Sequence, residues 1–236
     1  MSDSNEIIVK VAGPEHIYLA ETICKEMEES AKARGTGIAK RNPEYIKTKM
    51  NEGKAVIALT ADGQFAGFCY IETWGHGKYV SNSGLIVVPT IRKSGLATRI
   101  KEKAFELTLS KYPEAKLFGL TTSAAVMKIN SDLGYRPVTF SELTDDEAFW
   151  KGCSSCVNYE ILKSKDMKMC FCTGMLYDPA EKKNKKPEIE KVEEFNFKSE
   201  SKIWQRFQNM KIMKLLKNFG KEPVKFVAGF LSLSKL

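Results

Sequence analysis

The sequence predicts an α/β protein with helices packed on a β-sheet, and three observations carry that expectation. An apolar run, AVIALT (55–60), meets a second, FAGFCYIET (65–73), through a short loop containing Asp62-Gly63, which is hairpin chemistry. Further on, an extended run halted by Pro89 leads through a glycine-bearing loop into a long helical pattern. Extended runs and helical periods then continue to interleave up to about residue 162, the order expected when helices cover a sheet.

Each element has a local reason. Residues 7–11 form a short strand. After Gly13-Pro14, residues 15–34 read as a helix because Ile17, Ala20, Ile23, Cys24 and Met27 recur at helical spacing, and Gly35 and Gly37 end it. A second helix covers 43–50 and passes through Gly53 into the hairpin. Gly75 and Gly77 turn the chain into a third extended run, 78–88. The next helix opens near Ser94-Gly95 and stops at Pro113. Residues 116–122 read as a strand, 123–134 as a short helix closed by Gly134, 135–140 as a strand start and 156–162 as the final strand.

At 236 residues, with 43% hydrophobic and 28% charged residues, the chain can bury a core; disorder throughout, collagen-like repeats and a coiled-coil rod are excluded. No run is long and apolar enough to span a membrane, and no basic flank precedes an apolar stretch at the N-terminus, so a cytoplasmic location is expected. The net charge of +8 is concentrated after residue 180, where 14 Lys and Arg face 7 Asp and Glu. The expected organisation is a domain over 1–179 with a cysteine-rich end (153–172), a charged linker over 180–202 and a basic amphipathic segment over 203–236. That segment suits packing on its own domain or a second subunit in a homodimer. Basic and amphipathic together, it also suits a membrane surface or nucleic acid.

The segment LIVVPTIRKSGLA (85–97) joins a buried strand to a helix start. Unpaired N–H groups and the positive end of the helix dipole favour an anion there, and Arg92 and Lys93 add charge; an ordinary Ser-Gly cap reads the same way. Arg92-Lys-Ser-Gly95-Leu-Ala97 resembles the Arg/Gln-x-x-Gly-x-Gly/Ala signature of the GNAT superfamily of N-acetyltransferases. AVMKINSDLGY, ending in Gly134-Tyr135, resembles its second signature. The resemblance covers about residues 5 to 162 and implies a mixed, mostly antiparallel central sheet flanked by helices, with acetyl-CoA or another acyl-CoA as coenzyme.

By that resemblance the backbone of Leu85, Ile86, Val87 and Val88 would meet the pantetheine arm. Arg92, Lys93 and the amides of Ser94, Gly95, Leu96, Ala97 and Thr98 would hold the diphosphate. Many relatives carry a proton-donating tyrosine four residues before the glycine of the second signature. Here that position is Asn130, which can still bind the coenzyme, and Tyr135 is the substitute donor if its ring faces the cleft rather than the core. The implied chemistry is direct attack of an amine on the thioester. Glu72, His76 and Ser83 are the nearby catalytic candidates, with an N–H near Leu85 as oxyanion donor. Glu72 reads equally as a solvated strand end, and His76 as a surface turn residue.

By the same resemblance the first two helices and their loop would wall the acceptor cleft. Arg34, Lys40 and Arg41 would suit a carboxylate-bearing amine there, although solvated loop charges look alike. The chain is also similar to bacterial members linked to arginine biosynthesis, which implies glutamate as acceptor. Cys153-x-x-Cys156 and Cys170-x-Cys172 have the ligand count of a structural zinc site, or are reduced thiols. A non-catalytic, zinc-stabilised protein on the same scaffold, contacting nucleic acid or an acidic partner through its tail, is the competing reading.

Overall fold

A computed structural model of the chain describes residues 6–35 and 40–184, all within the first of two units, Met1–Lys186. The basic segment 203–236 and most of the charged linker lie outside the described residues. The linker's first residues, 180–184, belong to a short helix, α7 (Pro179–Asn184).

Seven strands form one sheet: β1 (Ile7–Val11), β2 (Ala55–Thr60), β3 (Phe65–Trp74), β4 (Tyr79–Val87), β5 (Lys116–Thr121), β6 (Arg136–Val138) and β7 (Thr173–Tyr177). Their order is β1-β2-β3-β4-β5-β7-β6, antiparallel except between β4 and β5. The Asp62-Gly63 hairpin forms as expected, with Val56 opposite Cys69 and Ile57 opposite Phe68.

Alternation along the strands sends side chains to two layers. Ile57, Phe68, Tyr70 and Ile86 face helices α1 (Ala20–Arg34) and α2 (Pro43–Asn51), where Ile23, Met27, Ile46 and Met50 meet them. Val56, Cys69, Ile71 and Val80 face the opposite side, against Leu96, Ile100 and Ala104 of α3 (Leu96–Lys111). Complete burial of side chains such as Ile23 or Ile100 contributes about 1.5–3 kcal/mol each. Helix α4 (Ala124–Asp132) follows β5, with the Ser123 side chain accepting the Val126 N–H at its start. No helix among the described residues is long and apolar enough to cross a membrane.

The structure corrects the end of the expected sheet. Residues 156–162 are a turn leading into helix α6 (Tyr159–Ser164) rather than the final strand, and the last strand is β7, further along the chain. A short apolar run has no period long enough to separate helix from strand. Only Leu162 of that run is fully buried, whereas Val157 is 80% exposed; Gly174 through Tyr177 are all buried, as suits a strand between β5 and β6. A five-residue helix, α5 (Glu147–Lys151), was also unforeseen, and residues 14–19 form a 3-10 turn ahead of α1 rather than its first turns.

Candidate functional site

Strand β4 is interrupted where the first signature begins. Its register with β3 pairs Ser83 with Tyr70 and Ile86 with Phe68, so Gly84 and Leu85 both fall opposite Cys69, a β-bulge. Gly84 has φ +66°, and a Cβ there would lie 2.7 Å from Tyr70 Cε1 and 2.8 Å from Met27 Cε, so both conformation and space demand glycine. β4 pairs with β5 only over Tyr79, Val80 and Ser81. Beyond Ser81 the two strands part, and along Leu85, Ile86 and Val87 no strand among the described residues pairs with the edge of β4 that faces away from β3.

The chain leaves that edge through a 3-10 turn, Pro89–Ile91, and enters α3 at Gly95, whose φ is +80°. No side chain caps this helix start, and nothing lies within 4 Å of where a Cβ on Gly95 would stand. The N–H groups of Leu96 and Ala97, in the first turn, have no intrahelical acceptors, and the space beside Gly95 is open. Thr98 differs from the expectation: its N–H already donates to the Gly95 carbonyl at 3.1 Å. Lys93 is exposed, in a left-handed conformation with φ 68°.

Arg92 is turned away from that space. Its Nε donates to the Val87 carbonyl at 3.0 Å and one terminal nitrogen donates to Ser30 Oγ at 2.6 Å, with Glu26 3.9 Å away. Ser30 in turn donates to Glu26 at 3.0 Å. Arg92 thus fastens the loop to β4 and α1.

A buried polar network lies under the parting strands. Asn82 Oδ1 accepts from Tyr135 Oη at 2.9 Å and from Lys101 Nζ at 3.2 Å, and Asn82 Nδ2 donates to Thr108 at 3.2 Å. Burial holds the Lys101 ammonium below its usual range and pushes the Tyr135 phenol up. Tyr135 packs in the core with Phe105 and Tyr177, so its hydroxyl serves Asn82. Asn130, on α4, is 2% exposed, and its Oδ1 has no hydrogen-bond partner among the described residues. An orphaned buried carbonyl of this kind calls for a water or a ligand.

On the α1/α2 side of the sheet, Tyr70 stands opposite Ser83 and Glu72 opposite Ser81. Glu72 accepts from Lys49 Nζ at 2.8 Å and from the Tyr45 hydroxyl, so both its oxygens are engaged. Burial, then the neighbouring Tyr70 and Glu72, push the Tyr45 phenol up. Ser83 donates to Ser81 Oγ at 3.3 Å, which also accepts from Trp74 at 2.8 Å. Arg41 Nε donates to the Tyr70 hydroxyl, with its guanidinium 5.8 Å from that ring. The structure therefore gathers Glu72, Ser83 and Arg41 along one face.

His76 stands apart, exposed at the tip of the β3–β4 hairpin, about 20 Å along the strands from the Tyr70–Ser83 pair. Lys40 is exposed and its amide donates to Ser155 at 3.0 Å; of Arg34 only the backbone, at the end of α1, is described. Tyr45, Lys49 and Tyr70 were missed by sequence reasoning. The available signal was a lysine and a tyrosine on the same α2 face as Ile46 and Met50.

Cys153, Cys156, Cys170 and Cys172 line one cavity, all as free thiols. Burial and the adjoining thiols push Cys153 up to about 11 and Cys172 up to about 12. No three His, Cys, Asp or Glu side chains among the described residues stand as a ready ligand group.

No family model matches the sequence, and no curated protein matches it. Solved structures do match in fold. N-acetylglutamate synthase from Neisseria gonorrhoeae, complexed with coenzyme A and N-acetyl-glutamate, superposes with a TM-score of 0.52 at 15% identity, over 73% of this chain and 35% of that one. This chain thus spans about a third of that enzyme's length. Rv2747 from Mycobacterium tuberculosis, in complex with CoA and a second ligand, gives 0.53 at 14% identity, over 72% and 98%. A GNAT-family acetyltransferase from Staphylococcus aureus gives 0.50 at 11% identity, over 60% and 91%. The described domain has the GNAT acetyltransferase fold: a mixed, mostly antiparallel sheet whose β4 is bulged and parted from β5.

Proposed function

We propose that the chain is an acyl-CoA-dependent N-acyltransferase for a small, carboxylate-bearing amine, with glutamate the leading acceptor. The observation that carries this reading is the bulged β4 edge running directly into an uncapped, open helix start at Gly95. Two of the similar folds are complexes with CoA, one of them also with N-acetyl-glutamate.

The residues fit such a coenzyme. The backbone of Leu85, Ile86, Val87 and Val88 offers an extended edge for an amide-bearing arm. The amides of Ser94, Gly95, Leu96 and Ala97, with Lys93 alongside, suit a diphosphate. Asn130 supplies a buried, unpaired acceptor on the helix that follows β5. Acyl-CoA would supply the activated acyl group as a thioester.

The chain's own groups then have separable tasks. Amides of the bulge at Gly84 and Leu85, displaced from the regular ladder, suit the carbonyl oxygen on which charge develops. Ser83 and Ser81 relay hydrogen bonds along the cleft face. Glu72, held by Lys49 and Tyr45, accepts the amine's proton by exchanging one of those partners, directly or through water. Arg41 holds the acceptor's carboxylate, as its planar fork favours.

The experiment is a panel of amino acids and simple amines tested for release of free CoA from acetyl-CoA. Turnover with glutamate and weaker turnover with amines lacking a carboxylate is expected. Turnover confined to uncharged amines would overturn the acceptor assignment, and no binding of any acyl-CoA would overturn the enzyme class.

A further inference from the structure

Two segments far from the signatures bring four thiols together. Cys153 lies on the 3-10 turn Gly152–Ser155, and Cys156 follows it, donating its N–H to the Cys153 carbonyl at 2.9 Å. Cys170 and Cys172 come from the stretch before β7. The fold sets all four on the wall of one cavity of about 30 Å³, whose other lining is apolar or aromatic apart from Asn158. The remaining cysteines lie elsewhere, Cys24 on α1 and Cys69 on β3. An ordinary core would line a space this small with methyl groups rather than with four cysteines.

We propose that Cys153, Cys156, Cys170 and Cys172 bind one zinc ion as four thiolates, in a structural site closed by rotation of the side chains toward the cavity. Soft sulfur ligands in a set of four favour zinc in a closed tetrahedral site, with no position left for substrate. The side chains do not stand as a ligating shell, so binding would require Cys153, Cys156, Cys170 and Cys172 to turn inward. Binding balances as four thiols and one Zn²⁺ giving a tetrathiolate of charge −2 and four protons.

The site also explains how a region with little regular structure is held. Between the two cysteine pairs the short helix α6 is the one helix or strand, and the second pair leads directly into β7, which lies between β5 and β6. A metal there would fasten α6 to β7, and through the Ser155–Lys40 hydrogen bond it would brace the connection between α1 and α2.

The test is metal analysis of the full chain purified under reducing conditions, expected to give about one zinc per chain. C156S and C172S should lose it, and C24A should retain it. Because the serine variants can fail to fold, a second measurement uses the unaltered chain: exchange of zinc for cobalt should give thiolate-to-metal charge-transfer bands and the visible bands of a tetrahedral ion. A folded, metal-free protein whose melting temperature is the same with and without zinc would overturn the proposal. So would an iron–sulfur chromophore, or disulfides among these four cysteines. None of these readouts needs turnover, so the metal site and the acyltransferase reading can fail independently.

Discussion

Tyr135 donates its hydroxyl to Asn82 Oδ1 at 2.9 Å, tying the chain after α4 to β4 at the point where β4 leaves β5. Lys101 reaches the same oxygen from α3 at 3.2 Å. One half-buried amide thus holds three elements around the parting strands.

Lys101→Met should stabilise the chain near neutral pH. Burial lowers the lysine's folded pKa below its unfolded value, so the unfolded state binds more protons between the two. Stability from this group therefore rises with pH through that window and is lost as pH falls. Urea unfolding followed as pH rises toward the ordinary lysine value should show a smaller gain in stability for the variant than for the unaltered chain. A steeper rise would contradict a buried, destabilised ammonium.

Gly84→Ala should cost about 1–3 kcal/mol, since alanine at φ +66° is strained and its methyl would meet Tyr70 and Met27. Denaturant unfolding measures the loss. An unchanged midpoint would mean that the bulge relaxes at no cost.

Asn130→Leu should separate binding from folding. It removes a buried carbonyl without a partner, so stability should hold or rise slightly, while acetyl-CoA affinity should fall about tenfold. Calorimetric titration reads the affinity and thermal unfolding the stability; equal affinity would remove Asn130 from the coenzyme site.

Much of the fold was legible because its signals are local. Asp62-Gly63 marks the hairpin, Gly95 follows a strand and opens a helix, and Pro113 stops that helix. The last strand was not legible, because 156–162 and 173–177 are both short and apolar, and only pairing with β5 and β6, set by distant residues, decides between them. The site divided similarly. Its backbone parts, Leu85 to Val88 and the Gly95 helix start, lie within one continuous segment. The partners of Glu72, by contrast, sit 23 and 27 residues away on α2. The partners of Arg92 were not legible either: the charge is plain in the sequence, but its bonds to Val87 and Ser30 depend on how the loop lies against α1.

Arg92→Glu tests that geometry. Losing the bonds to Val87 and Ser30 and placing a carboxylate beside Glu26 should loosen the loop, weakening acetyl-CoA binding at least about tenfold. Arg92→Gln, able to keep a bond to Val87, should recover part of it; if the two variants bind equally poorly, charge rather than positioning is at work.

Glu72→Gln should lower kcat by about 10²–10⁴ while acetyl-CoA affinity stays within a few-fold, as expected for a group that takes a proton from the acceptor amine. A matching loss of coenzyme affinity would make Glu72 a structural partner of Lys49 and nothing more.

The most direct measurement is a crystal structure of the full chain with acetyl-CoA bound. The account predicts the pantetheine arm along Leu85 to Val88 and the diphosphate within hydrogen-bonding distance of the Leu96 and Ala97 amides. Coenzyme bound elsewhere, or the Gly95 hollow closed by side chains, would contradict it.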